Sequence, residues 1–155
     1  MHKITLFLFF SMFLFACSDP CDDVDCGANG TCAEDSGNCM CDDWYEGERC
    51  EIETRSKFIG IWSSTSSNCT DQNGGDLSPT WTIEALANSD GIRIRAAEIA
   101  ANTWLDVTLT SDNTAVVTPV SLGGLEISGS ISFINESSLS LNLNIGADCN
   151  FDLVK

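Results

Sequence analysis

Residues 125–145 read LEISGSISFINESSLSLNLNI. Leu125, Ile127, Gly129, Ile131 and Phe133 alternate with Glu126, Ser128, Ser130 and Ser132. After the turn-forming Asn135-Glu136-Ser137, Leu139, Leu141, Leu143 and Ile145 alternate with Ser140, Asn142 and Asn144. A period of two places apolar side chains on one face of an extended chain and polar ones on the other, the pattern of antiparallel strands with one buried face. Less regular strand-like runs cover residues 58–65, 80–86, 92–100, 104–110, 115–120 and 149–154, with residues 96–101 equally suited to helix. Turn chemistry separates them at 73–76, 88–91, 111–113, 122–124 and 135–137. Eight short strands at hairpin spacing predict an up-and-down barrel or a sandwich.

The first strand carries Gly60-Ile61-Trp62. With its glycine and tryptophan two apart, it resembles the G-x-W signature of lipocalins, and residues 57–155 look like the small lipocalin-like domains of bacterial lipoproteins. The resemblance implies an antiparallel eight-stranded β-barrel. It also implies a base on the last strand packed across the tryptophan, for which Lys155 is the available residue. Cys69 just after the first strand and Cys149 at the start of the last fit a bridge that closes the sheet, with residues 63–69 running antiparallel to 149–155.

The chain has nine cysteines, and six of them lie between residues 21 and 50 with the spacing C-x4-C-x5-C-x6-C-x-C-x8-C. A segment of this size buries too little apolar surface to fold without cross-links. The spacing leaves many pairings open. With Gly27 and Asn29-Gly30-Thr31 before Cys32, and Trp44-Tyr45-Glu46-Gly47-Glu48-Arg49 before Cys50, it resembles an EGF-like domain. That resemblance implies Cys21 with Cys32, Cys26 with Cys39, and Cys41 with Cys50. A zinc site would favour C-x2-C pairs, whereas Cys39-Met40-Cys41 leaves one residue between ligands. The calcium motif of some EGF-like domains is incomplete here, which leaves Asp19, Asp22, Asp23 and Asp25 as weak candidates for a hard cation. Residues 51–56 then read as a linker.

Before this module, Met1, His2 and Lys3 lead into an apolar run that ends at Ala16. The run is shorter than the roughly 20 residues a membrane span needs, and residues 1–16 read as a signal peptide. Leu14-Phe15-Ala16-Cys17 resembles the lipobox of bacterial lipoproteins, which implies cleavage before Cys17 and acylation of it with fatty chains such as palmitate. An ordinary secretory signal is the alternative. Residues 17–20 would then be a lipidated tether, and several acyl chains anchor stably where one does not. The acidic run at Asp19, Asp22 and Asp23 looks like the export signal that takes some lipoproteins of the Bacteroidota to the outer cell surface. The expected location is the outer membrane, facing the exterior, with a periplasm-facing or secreted protein as the alternative. The odd cysteine is thereby assigned: one to lipid, six to the module, two to the barrel.

The formal net charge is −16. Residues 17–54 hold twelve carboxylates against one arginine, and residues 55–155 eleven against five bases. Nucleic acid is excluded as a partner, because phosphate affinity rests on lysine and arginine. The only histidine is His2, inside the signal peptide, so the mature chain has no imidazole for general-base catalysis. With every mature thiol assigned there is no thiolate nucleophile. Paired carboxylates remain, and Glu84, Glu98, Asp106 and Glu126 lie on expected strands, but none stands out from a solvated face. No cofactor is expected and the chain is read as a non-enzyme. The inner face, with Trp62, Trp81 and Trp104 beside it, suits a plain core or a small apolar ligand. The expected role is a membrane-anchored binding or adhesion module for such a ligand or for a protein or glycan partner. The alternative is an envelope spacer without a ligand, and a carboxylate-based glycan hydrolase stands behind both.

Overall fold

The computed structural model describes residues 19–70, 74–100 and 102–155. The expected signal peptide and Cys17 lie outside the described residues.

The N-terminal module is built from pieces too short to show any periodicity. Strands β1 (Gly30–Cys32) and β2 (Cys39–Cys41) form one antiparallel pair, with Cys32 opposite Cys39. Strands β3 (Tyr45–Glu46) and β4 (Ile52–Glu53) form another. Disulfides join Cys21 to Cys32, Cys26 to Cys39 and Cys41 to Cys50.

Residues 51–56, read from the sequence as a linker, are ordered structure. They supply β4 and most of a 3-10 helix, Thr54–Lys57. Both Thr54 and Arg55 are buried. The Arg55 guanidinium donates through Nη1 to the carbonyls of Leu86, Asn88 and Gly91, and through Nε to Glu53. An arginine buried this way is held by the several acceptors that its fork of donors can reach at once. Trp44 of the module packs against the barrel core from the same side.

Eight strands follow: β5 (Gly60–Ser67), β6 (Thr80–Ala85), β7 (Gly91–Ala96), β8 (Leu105–Ser111), β9 (Thr114–Leu122), β10 (Leu125–Asn135), β11 (Ser138–Asn144) and β12 (Asp148–Val154). Each pairs antiparallel with the next, and β12 pairs with β5, from Val154 opposite Ser63 to Phe151 opposite Ser67. The result is a closed up-and-down barrel, so no strand edge is left open. Cys69 and Cys149 are bridged beside this seam. The stretch 96–101 resolves in favour of helix after Ala96, as α1 (Ala97–Ala100), so the strand expected over 92–100 stops early.

The alternating residues fill the interior. Leu139, Leu141 and Leu143 of β11 and Cys149, Phe151 and Leu153 of β12 are buried, as are Ile131 on the neighbouring β10 and Ile92, Ile94, Val107, Leu109 and Val117 on β7, β8 and β9. Alternation over-reaches at one place. Leu125 was expected on the inner face but is 54% exposed. There the β9–β10 register skips, with two residues of β9, Thr118 and Pro119, opposite Ser128 alone. Proline has no N–H to give to a ladder, so a bulge forms, and β9 beyond Val117 no longer pairs with β8. Next to that bulge, a side chain at Gly129 would collide with the Asn142 carbonyl, so only glycine lets β10 and β11 approach.

Candidate functional site

The two ends of the barrel differ. At one end the strands meet the N-terminal module. Phe58 lies over the core and accepts a hydrogen bond of 2.8 Å from Trp62 Nε1. Lys155 Nζ sits 4.6 Å from the centroid of the Trp62 ring. Lys155, the residue after β12, thus packs across Trp62 although it is not on the last strand itself. Gly60, at φ 143°, leaves room for that lysine, since a side chain there would meet Lys155 Cε at 3.0 Å. Arg55 and Phe58 together stopper this end.

The opposite end carries the longest connections, residues 68–79 and 97–104, and the Cys69–Cys149 bridge. It holds a small apolar cavity of about 40 Å³ beneath α1, lined by Trp81, Ile94, Ala96, Ile99, Leu105 and Ile127 among others. Ligand pockets for drug-sized molecules run to roughly 300–1,000 Å³. The interior here is packed with its own side chains: Trp81 stands edge-on to Phe151 with ring centroids 5.3 Å apart, and its Nε1 donates to Ser64.

Of the three tryptophans expected near the interior, Trp104 is outside. It precedes the first inward residue of β8, Leu105, so its side chain falls on the outer wall. The guanidinium carbons of Arg93 and Arg95 lie 4.4 and 4.6 Å from its ring centroid. Sequence reasoning missed this cluster; the readable signal was Arg93 and Arg95 two apart, on the polar face of β7.

The carboxylates that could serve in acid–base chemistry are scattered over the outside. Glu84 and Asp106 are both opposite Arg93 in register, one on each side, and Glu84 pairs with Arg93 at 2.7 Å. Two strand spacings separate them, roughly 9.6 Å, and Glu84 is already engaged by the Arg93 guanidinium. Glu98 is exposed on α1, and Glu126 is exposed opposite Ser121 near the β9–β10 turn.

The four aspartates named for a hard cation are differently occupied. Asp19 accepts a hydrogen bond of 2.9 Å from the Cys21 N–H. Asp25 accepts from the Gly27 N–H and pairs with Arg49, and that backbone hydrogen bond, followed by the Arg49 charge, holds its carboxyl below the usual range. Asp22 and Asp23 are exposed in the turn between them. Among the described residues no group of three or more His, Cys, Asp or Glu side chains is close enough to hold a metal ion.

Where the module meets the barrel there is an open cleft of about 630 Å³. Its walls include Glu46, Ile52, Lys57, Phe133, Glu136 and Lys155. Lys57 Nζ is 3.2 Å from Glu46, 3.5 Å from Asn113 Oδ1 and 5.3 Å from the Phe133 ring centroid.

Compared with models of protein families and with curated proteins, the chain matches none.

Proposed function

We propose that the chain is a lipoprotein, acylated at Cys17 and held in the outer membrane facing the exterior. In this reading an EGF-like module carries a lipocalin-like barrel that acts as a non-enzymatic binding or adhesion module. The observation that carries the reading is the Trp104 cluster. A tryptophan held against two guanidiniums is the composition of a binding hot spot, and it lies on the outer wall toward the end of the barrel away from the N-terminal module. An anchor at the N-terminus would leave that end pointing outward. The small interior cavity supports a protein or glycan partner over an apolar ligand held inside.

The anchor is tested by fractionating cells that make the Cys17→Ser variant. Release of the variant from the membrane fraction is expected, and retention would contradict the lipid anchor. Protease treatment of intact cells should remove the barrel, whereas a periplasm-facing domain would survive. Binding is tested by probing arrays of glycans and extracellular proteins with that soluble variant. A hit that is lost with Trp104→Ala supports the reading.

The filled interior and the Arg55 junction also suit the second reading, an envelope spacer without a specific ligand. Arrays that stay blank, or hits indifferent to Trp104→Ala, would favour the spacer.

A further inference from the structure

The cleft between module and barrel has the chemistry of a binding site that neither the anchor nor the Trp104 cluster uses. Both lysines among the described residues line it, in a chain whose net charge is −16. They are not equivalent. Lys57 is neutralised by Glu46 and half enclosed by Asn113 and Phe133, so its charge is spent within the wall. Lys155 rests on the Trp62 ring and has no carboxylate within ion-pair distance among the described residues. Glu136 likewise takes part in no ion pair there. The two belong to one corner of the cleft, because the Lys155 N–H donates to the Ser137 carbonyl, one residue past Glu136.

The rest of the wall is part polar, from Ser56 and Asn135, and part apolar, from Phe133 and Ile52. Phe133 is backed edge-on by Phe58 with ring centroids 6.0 Å apart, and Ile52 is 44% exposed although it is a large aliphatic side chain. Among the described residues, one unpaired ammonium, one unpaired carboxylate and an apolar patch of two side chains therefore share a concavity whose volume lies within the range of small-molecule sites, at a boundary between modules where such sites are frequent.

We propose that this cleft binds a small zwitterion with an apolar body, of the chemical class of the apolar amino acids. Its carboxylate meets Lys155, its ammonium meets Glu136, and its side chain lies against Phe133 and Ile52. A simple anion would be repelled by Glu136 and a simple cation by Lys155, so the paired charges select the zwitterion.

The test is an NMR titration of the full chain as the soluble Cys17→Ser variant, with L-phenylalanine, benzoate and phenethylamine as probes. Phenylalanine should shift the Trp62 indole and the Phe133, Glu136 and Lys155 amides, with a Kd of roughly 1 mM or tighter. Each single-charge probe should bind about fivefold more weakly, the upper range for an exposed ion pair. Lys155→Gln should weaken phenylalanine and benzoate by a similar factor, and Lys155→Arg should restore both, which separates lost charge from disturbed packing on Trp62. Glu136→Gln should weaken phenylalanine while leaving benzoate unchanged or tighter. No shift at these residues by about 10 mM phenylalanine would overturn the proposal, and so would equal binding of all three probes. Blank glycan and protein arrays would leave this result untouched, since the two sites lie on different parts of the molecule.

Discussion

Residues 19–53 and residues 58–155 are held together by different physics. In the first region the only buried apolar residues are Cys26 and Cys50, both in disulfides. In the second, a continuous cluster runs from Phe58 through Trp62 and Trp81 to Leu153, with a single bridge beside the seam. The module's order is covalent and the barrel's is hydrophobic. The junction matters because Arg55 and Trp44 are where a segment without a core borrows one.

The largest effect should follow from removing a module bridge. Cys41→Ser together with Cys50→Ser should cost about 2–5 kcal/mol, enough to leave the module without fixed structure. NMR should then show collapsed dispersion for residues 19–53 while the barrel signals persist. If the barrel signals collapse too, the two regions are not separately stabilised. Trp62→Ala should cost about 3–5 kcal/mol and act on the barrel, as a lower midpoint in denaturant unfolding. A loss under about 1 kcal/mol would mean the site relaxes far more than a packed core allows. Arg55→Met should cost about 1–3 kcal/mol, because it strips a donor from three carbonyls. It should also speed hydrogen exchange on both sides of the junction, and unchanged exchange in the module would contradict coupling through this residue. The smallest effect has the opposite sign. Among the described residues the buried Thr54 hydroxyl has no hydrogen-bond partner, so Thr54→Val should stabilise by about 1 kcal/mol, read as a higher unfolding midpoint.

Much of the barrel was legible because its determinants are local. Ser138–Asn144 alternates without interruption, and the pattern 139–145 already located that strand and its inner face. The seam could be inferred from the positions of Cys69 and Cys149 at opposite ends of the barrel segment. Other features depend on partners far along the chain. Arg55 is read from the sequence as one base in a linker, yet its acceptors lie 31–36 residues away and are backbone carbonyls with no sequence signal. The strands of the module are two or three residues long, too short for any period to emerge. The position of Leu125 was misread because a bulge at Thr118 and Pro119 interrupts the register on the neighbouring strand, and alternation within one strand carries no record of that. Trp104 failed for a different reason: the alternation of Leu105, Val107 and Leu109 already put it on the other face, and its aromatic character was read as inward instead.

The cleft was not legible at all, since Glu46, Lys57, Glu136 and Lys155 meet only through the junction and barrel closure. The Trp104 cluster was half legible, as two arginines of one strand face whose aromatic partner comes from the following connection.

The most direct test of the account is native mass spectrometry of the protein extracted from membranes in mild detergent. The expected species is the chain beginning at Cys17, carrying acyl chains and four disulfides, with no apolar small molecule retained in the barrel. A chain with an unmodified Cys17, or a reproducible apolar molecule co-purified with the folded barrel, would contradict it.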